Sequence, residues 1–262
     1  TLLVSSSHKK AFWYTGVSYT GYKHYTIDKL INALDFVLFN TYVQFSGNIF
    51  RQQTGIPMGG NASPFIADLY LAWCEYCFIS FNSKNDNSII KSLSNNCRYI
   101  DDILVLNYIG FGKLAKSIYP PELTLEKSSP STVRDNFLDL HIRIIRREFV
   151  TGIYHKVDDF NFEVISFPFP DSNIDSIVGY QVFYSQLVRF SRICSNQFDF
   201  MFRTKMIYKK LVDRGYDHVL LYKYFKRFYN KYDCMLTRFG LDTADSLWSA
   251  CITYKPFGPI CL

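Results

Sequence analysis

The sequence predicts an α+β fold, and three observations carry that expectation. Ile27, Leu30, Ile31, Leu34, Val37 and Leu38 recur at helical spacing. Short β-type runs flank turn residues between Cys97 and Lys156. From Ile177 to about Arg238 the pattern turns helical and aromatic. A chain of 262 residues suits one large domain or two small ones and can bury a sizeable core. A hydrophobic fraction of 48% argues against wholesale disorder, and no apolar run approaches the ~20 residues of a membrane span.

Each element has a local reason. Thr26 is the expected N-cap of the first helix, an amphipathic one of about four turns with one face on a core. Tyr42–Ser46 and Ile49–Gln53 read as a hairpin turned at Gly47-Asn48. Three glycines and two prolines between Thr54 and Pro64 exclude regular structure there. Ser63 as N-cap and Pro64 at the first helical position then open a helix to about Phe81, with Phe65, Ile66, Leu69, Trp73 and Tyr76 on one face. Asn82–Asn96 has the composition of a surface loop. Strands Cys97–Ile100 and Ile103–Leu106 follow, then a helix near Phe111–Ile118 closed by Pro120-Pro121. Further strands are expected at Leu123–Leu125, Phe137–Ile144 and Phe149–Lys156.

Charge and cysteine bound the setting. Between Tyr180 and Tyr232 stand eleven basic residues against three acidic, while the whole chain is only +6. A basic segment interleaved with Tyr and Phe suggests a polyanion partner, against the plainer reading of a solvated helix face. Seven cysteines at irregular spacing, with no signal peptide, read as reduced thiols in an intracellular protein, nuclear or cytoplasmic. Cys74 and Cys77 form a C-x-x-C without a second ligand pair and are expected as two buried helix positions.

In Asn96–Asn107, NCRYIDDILVLN, two adjacent aspartates sit at a turn between strand-like runs. Neighbouring carboxylates repel unless they are solvated or neutralised, and a divalent cation with oxygen ligands neutralises them well. Taken alone, the same residues make an ordinary hairpin turn. Upstream, the glycine-rich segment before a helix offers backbone that a ligand can approach closely, near a helix N-terminus.

These segments, in this order, resemble the reverse transcriptases, within them the Penelope-like and telomerase-related branch. TGIPMGGNASPFIADLYLAWCE resembles motif B and RYIDDILVL motif C. LTLEK at 123–127 resembles motif D, and NFLDLHIRI at 136–144 the primer-grip motif E. GIYHKVDDFNFEVISFPFPDSN and YSQLVRFSRICS at 184–195 look like the passage into the thumb. The likeness spans about residues 22–235.

The resemblance implies a polymerase palm, an antiparallel sheet with helices on one face, followed by a helical thumb, with the fingers largely missing. It places the partial palm at 1–172, a basic thumb at 173–240 and a tail at 241–262. It implies RNA-templated DNA synthesis, with an RNA template, a DNA primer and dNTPs as partners and no membrane. Asp101 and Asp102 would help hold Mg²⁺ or Mn²⁺, with Lys127 near the triphosphate as a third catalytic residue. Gly55, Pro57, Met58, Gly59, Ser63 and Tyr99 would meet nucleotide or template, Met58 standing where many of these enzymes carry Gln. Phe137, Leu138 and Asp139 would form the primer grip. Arg189, Arg192, Lys205 and Lys209 would hold the nucleic-acid backbone.

The two-metal chemistry of the family also needs a carboxylate from an upstream strand, motif A. Asp28 and Asp35 are the acids before motif B, and both fall in the first helix, so the expectation is the C-terminal portion of a longer polymerase. The alternative is a nucleic-acid-binding remnant or domesticated fragment without synthesis; a generic α+β interaction domain is a third reading. Gly152-Ile153-Tyr154 matches half of a GIY-YIG nuclease signature, but no YIG follows, and it reads as strand. Asp158-Asp159 reads as a turn.

Overall fold

The computed structural model describes residues 2–5, 10–16, 21–83, 87–128, 131–162, 164, 166–240 and 243–255. It is a mixed α+β fold of small antiparallel sheets and helices, eight α-helices among the described residues. Two compact units divide between Leu125 and Glu126. Residues 129–130 after LTLEK, 163 and 165, and 256–262 of the expected tail, with Cys261, lie outside the described residues.

The first unit opens with strands the sequence patterns did not mark: β1 (Leu2–Ser5), β2 (Lys10–Trp13) and β3 (Lys23–Tyr25), in the order β2-β1-β3. Helix α1 (Ile27–Phe39) begins as expected, with Thr26 accepting from the Lys29 amide. Its apolar face is not buried, however, and Ile31 is 49% exposed, because no element among the described residues covers it. Strands β4 (Tyr42–Phe45) and β5 (Asn48–Arg51) form the expected hairpin, but its turn is Ser46-Gly47, one residue earlier. Both turn residues have positive φ, 49° and 79°, as a type I′ connection requires.

Helix α2 (Ser63–Asn82) starts without a side-chain cap; Ser63 is its first residue and donates its hydroxyl back to the Pro57 carbonyl. Its aromatic face is exposed, as are Phe65 and Trp73, and Cys74 and Cys77 are half-buried and exposed rather than buried. The polar stretch expected as loop contains helix α3 (Asn87–Leu93). Hairpin β6 (Cys97–Tyr99) and β7 (Asp102–Leu104) follows, then α4 (Phe111–Ile118), at the expected bounds. Leu123–Leu125 forms no strand. Among the described residues of this unit, Leu3, Ser5, Pro57, Ser63, Ala115 and Tyr119 are buried.

The second unit holds the core. Phe137–Ile144 is not one strand: β8 (Arg134–Phe137) and β9 (Leu140–Ile145) turn at Leu138-Asp139, and β10 (Glu148–Ile153) completes the sheet β10-β9-β8. Helices α5 (Ile177–Ile193), α6 (Gln197–Val212) and α7 (His218–Leu236) follow in the region expected to be helical. They bury Phe183, Leu187, Phe200, Leu211, Leu221, Phe225 and Phe228 almost completely. In place of a bare tail, α8 (Ala244–Thr253) adds Leu247, Trp248 and Cys251 to the same cluster.

Polar bonds tie the sheet to these helices within the second unit. Arg143 pairs with Asp199 of α6, Arg203 of α6 reaches Asp158 at 2.5 Å and the Ile153 carbonyl at 2.7 Å, and Arg189 of α5 reaches Asp139 at 2.8 Å. Gly152 of the GIY segment lies in β10, where a Cβ would come within 3.3 Å of the Asp199 carboxylate, a tight contact with α6 that glycine avoids. Truncating Phe225 to Ala is expected to cost about 3–5 kcal/mol of stability, read as a lower urea midpoint with the second unit's helical signal as probe.

Candidate active site

The paired aspartates stand on a two-residue hairpin. Tyr99 pairs with Asp102 across it, so Ile100 and Asp101 form the turn. Ile100 has φ of 53°, the left-handed region, in the position where a type II′ turn favours glycine. Because alternate strand residues face opposite sides, Arg98 and its partner Ile103 share one face of the hairpin, and Tyr99 and Asp102 the other. Asp101 and Asp102 are exposed, and neither has an ion-pair partner among the described residues.

Arg98 anchors the hairpin on α2. Its Nε and Nη2 donate to the two carboxylate oxygens of Glu75 at 2.6 and 3.2 Å. Nη1 donates to Asp68 Oδ1 at 2.7 Å and to the Ile100 carbonyl at 3.1 Å, and Nη2 also reaches the Asp68 carbonyl at 3.4 Å. Tyr119 of the segment after α4 donates its hydroxyl to Glu75 at 2.7 Å. At the hairpin base, Asn96 Oδ1 accepts from the Leu106 amide at 3.0 Å. The Glu75 carboxylate holds the Arg98 pKa above its ordinary value, against the opposing effect of burial. Burial first, and then the bond to Glu75, raise the Tyr119 phenol.

Sequence reasoning missed this network, although a signal existed. Asp68 and Glu75 are the charged residues of an otherwise apolar and neutral α2, and their seven-residue spacing is two turns, on one face. Arg98 is the single charge in the strand before the aspartates.

The glycine-rich loop divides its predicted contacts. Gly55 and Gly59 both have φ of 87°, which glycine alone adopts readily. Met58 is fully exposed and Gly59 is exposed. Pro57 and Ser63 are buried, and the Ser63 hydroxyl is bonded to the Pro57 carbonyl. Tyr99 is 57% exposed.

The remaining candidates lie in the second unit. Lys127 is exposed and outside regular structure. Phe137, Leu138 and Asp139 occupy the β8–β9 turn, where Leu138 has φ of 56°. Asp139 and Arg189 were expected to grip nucleic acid separately, but they satisfy one another. Lys205 is tied to the Tyr254 carbonyl at 2.7 Å. Arg192 and Lys209 are exposed, with no ion-pair partner among the described residues. Lys223, Arg227 and Lys231, four residues apart on one face of α7, are exposed too, and Arg227 lies 5.8 Å from the Tyr184 ring. In the 3-10 turn Lys156–Asp159, Asp158 pairs with Arg203 and Asp159 accepts from Tyr154 at 2.5 Å, which accounts for that second acidic pair.

Two adjacent carboxylates supply part of the oxygen set a hard divalent cation takes. No group of three or more His, Cys, Asp or Glu suited to a metal occurs among the described residues. None of the described helices is long and apolar enough to cross a membrane. No family model, curated protein or solved structure matches the chain.

The raised Tyr119 pKa has a definite sign. The folded chain keeps a proton that the unfolded chain releases near pH 10, so the stabilisation is complete below that pH and declines above it. Tyr119→Phe is expected to cost about 1 kcal/mol at pH 8. The gap to the parent chain should narrow between pH 10 and 11, and urea unfolding at the three pH values measures it.

Proposed function

We propose that this chain is the palm and thumb portion of a reverse transcriptase of the Penelope-like and telomerase-related type, and that it serves RNA-templated DNA synthesis. The observation that supports this reading most is the presentation of Asp101 and Asp102. Both are exposed and unpaired on one hairpin tip, and that tip is fixed to the helix that follows the glycine-rich loop. In this reading the first unit and β8–β10 are palm, and α5–α7 are thumb.

Asp101 and Asp102 would hold Mg²⁺ or Mn²⁺ together with a further carboxylate. The chemistry supplied by the bound ions is activation of the primer 3′-hydroxyl and neutralisation of the leaving pyrophosphate. Gly59 and Met58 present open backbone and side chain to the nucleotide and template, and Tyr99 lines the same hairpin face as Asp102. Lys127 serves the triphosphate. The Leu138 turn, locked by Asp139 to Arg189, holds the primer through its shape and backbone rather than through the Asp139 charge. Arg192, Lys209 and the α7 row meet phosphates.

The α7 row also favours a second reading, nucleic-acid binding without synthesis, since it needs no metal. Primer extension on an RNA template with Mg²⁺ separates the two. Incorporation by the 262-residue chain, lost by more than about 100-fold in Asp102→Asn, supports the polymerase. Salt-dependent duplex binding without incorporation selects the second reading, and failure of both removes both.

A further inference from the structure

We propose that Arg98 is the positioning residue for the Asp101–Asp102 pair: it clamps the carbonyl of Ile100, the first residue of the hairpin turn, to Asp68 and Glu75 of α2. The proposal rests on the reading of these aspartates as metal ligands and adds the device that aims them.

The donor count carries the inference. A guanidinium has five N–H groups, and all five have an acceptor here: two Glu75 oxygens, Asp68 Oδ1, the Asp68 carbonyl and the Ile100 carbonyl. The Arg98 side chain is 11% exposed, so its bonds to Glu75 and to the Ile100 carbonyl are partly shielded from water, while Asp68 lies at the open edge of the network. Four of the acceptors belong to one helix and the fifth to the turn, and therefore the turn's orientation is referred to α2 through one rigid plane. A lysine has three donors, no fork and no way to span these acceptors.

The clamped carbonyl belongs to the residue whose backbone needs holding. Ile100 is β-branched and sits at φ 53°, a conformation that costs on the order of 1–3 kcal/mol and persists when its surroundings enforce it. Without the clamp, Ile100 can relax, and the peptide that joins it to Asp101 turns with it. Asp102, on the face opposite Arg98, moves through the same turn. Arg98 thus acts on the carboxylates through backbone and touches neither.

Manganese alone is the probe, titrated into the 262-residue chain by electron paramagnetic resonance. Arg98→Lys is expected to weaken binding about 10- to 100-fold, as loss of a supporting group does elsewhere. Tyr119→Phe, which loosens the network without touching Arg98, should stay within about 3-fold, because a general loss of stability does not redirect the turn. Parental affinity in a folded Arg98→Lys variant overturns the proposal. If that variant does not fold, Asp68→Asn takes its place, with weakened binding expected and unchanged binding decisive against it. If Asp101→Asn leaves manganese binding unaltered, the metal reading itself fails. Amide exchange then judges the clamp: faster exchange confined to residues 99–103 in Arg98→Lys sustains it, and unchanged or uniformly faster exchange removes it.

Discussion

One guanidinium, that of Arg98, ties the hairpin carrying the paired aspartates to α2. The first unit buries few side chains, and three of its apolar surfaces, on α1, on the β4–β5 hairpin and on α2, face outward. Non-directional burial therefore cannot fix the angle between α2 and the β6–β7 hairpin. Charge-assisted bonds from a planar, five-donor fork can, since they weaken steeply as the donor angle closes. A partly buried ion pair adds little net stability once its desolvation is counted, so what Arg98 contributes is geometry. Tyr119 completes the arrangement by satisfying the Glu75 oxygen from the far side.

The second unit solves the opposite problem. Its aromatic cluster supplies ample burial, and Trp248 alone lies within 6.4 Å, centroid to centroid, of Phe183, Tyr208, His218, Tyr222 and Phe225. Here ion pairs fix which sheet edge meets which helix. That use consumes charges that composition would assign to ligand binding: Arg189, Arg203 and Arg143 all face carboxylates of the same unit. The positive charge not paired within the unit is smaller than a residue count suggests, and Lys223, Arg227 and Lys231 on α7 are part of it.

Local determinants were legible in the sequence. Thr26 marks the start of α1, the helix at Phe111–Ile118 and a helical region from Ile177 onward were visible though its division into α5, α6 and α7 was not, and the aspartates fall at the end of a hairpin, Asp101 in the turn and Asp102 opening β7. The turn register was less legible, because Gly47 serves as the second turn residue rather than the first. Helix α3 was hidden by Asn and Ser composition, with Ile89, Ile90 and Leu93 too few to show a period. The Arg98 partners lie 23 and 30 residues away, beyond any local pattern. The pairing of Asp139 with Arg189, 50 residues distant, was equally out of reach. Amphipathicity announced which faces of α1 and α2 are apolar; it carries no information on what covers them.

Four two-residue hairpin turns contain a residue other than glycine at positive φ: Ser46, Ile100, Leu138 and the adjacent pair Arg146 and Arg147. Each such residue disfavours the turn before any strand has paired, by roughly 1–2 kcal/mol. At Ile100 and Leu138, where the side chain is large, the turn itself favours the hairpin little, and contacts beyond the turn hold it. For β8–β10 those contacts come from the helices of the same unit, through Arg143 to Asp199, Arg203 to Asp158 and Arg189 to Asp139; for β6–β7 they come from α2, through Arg98.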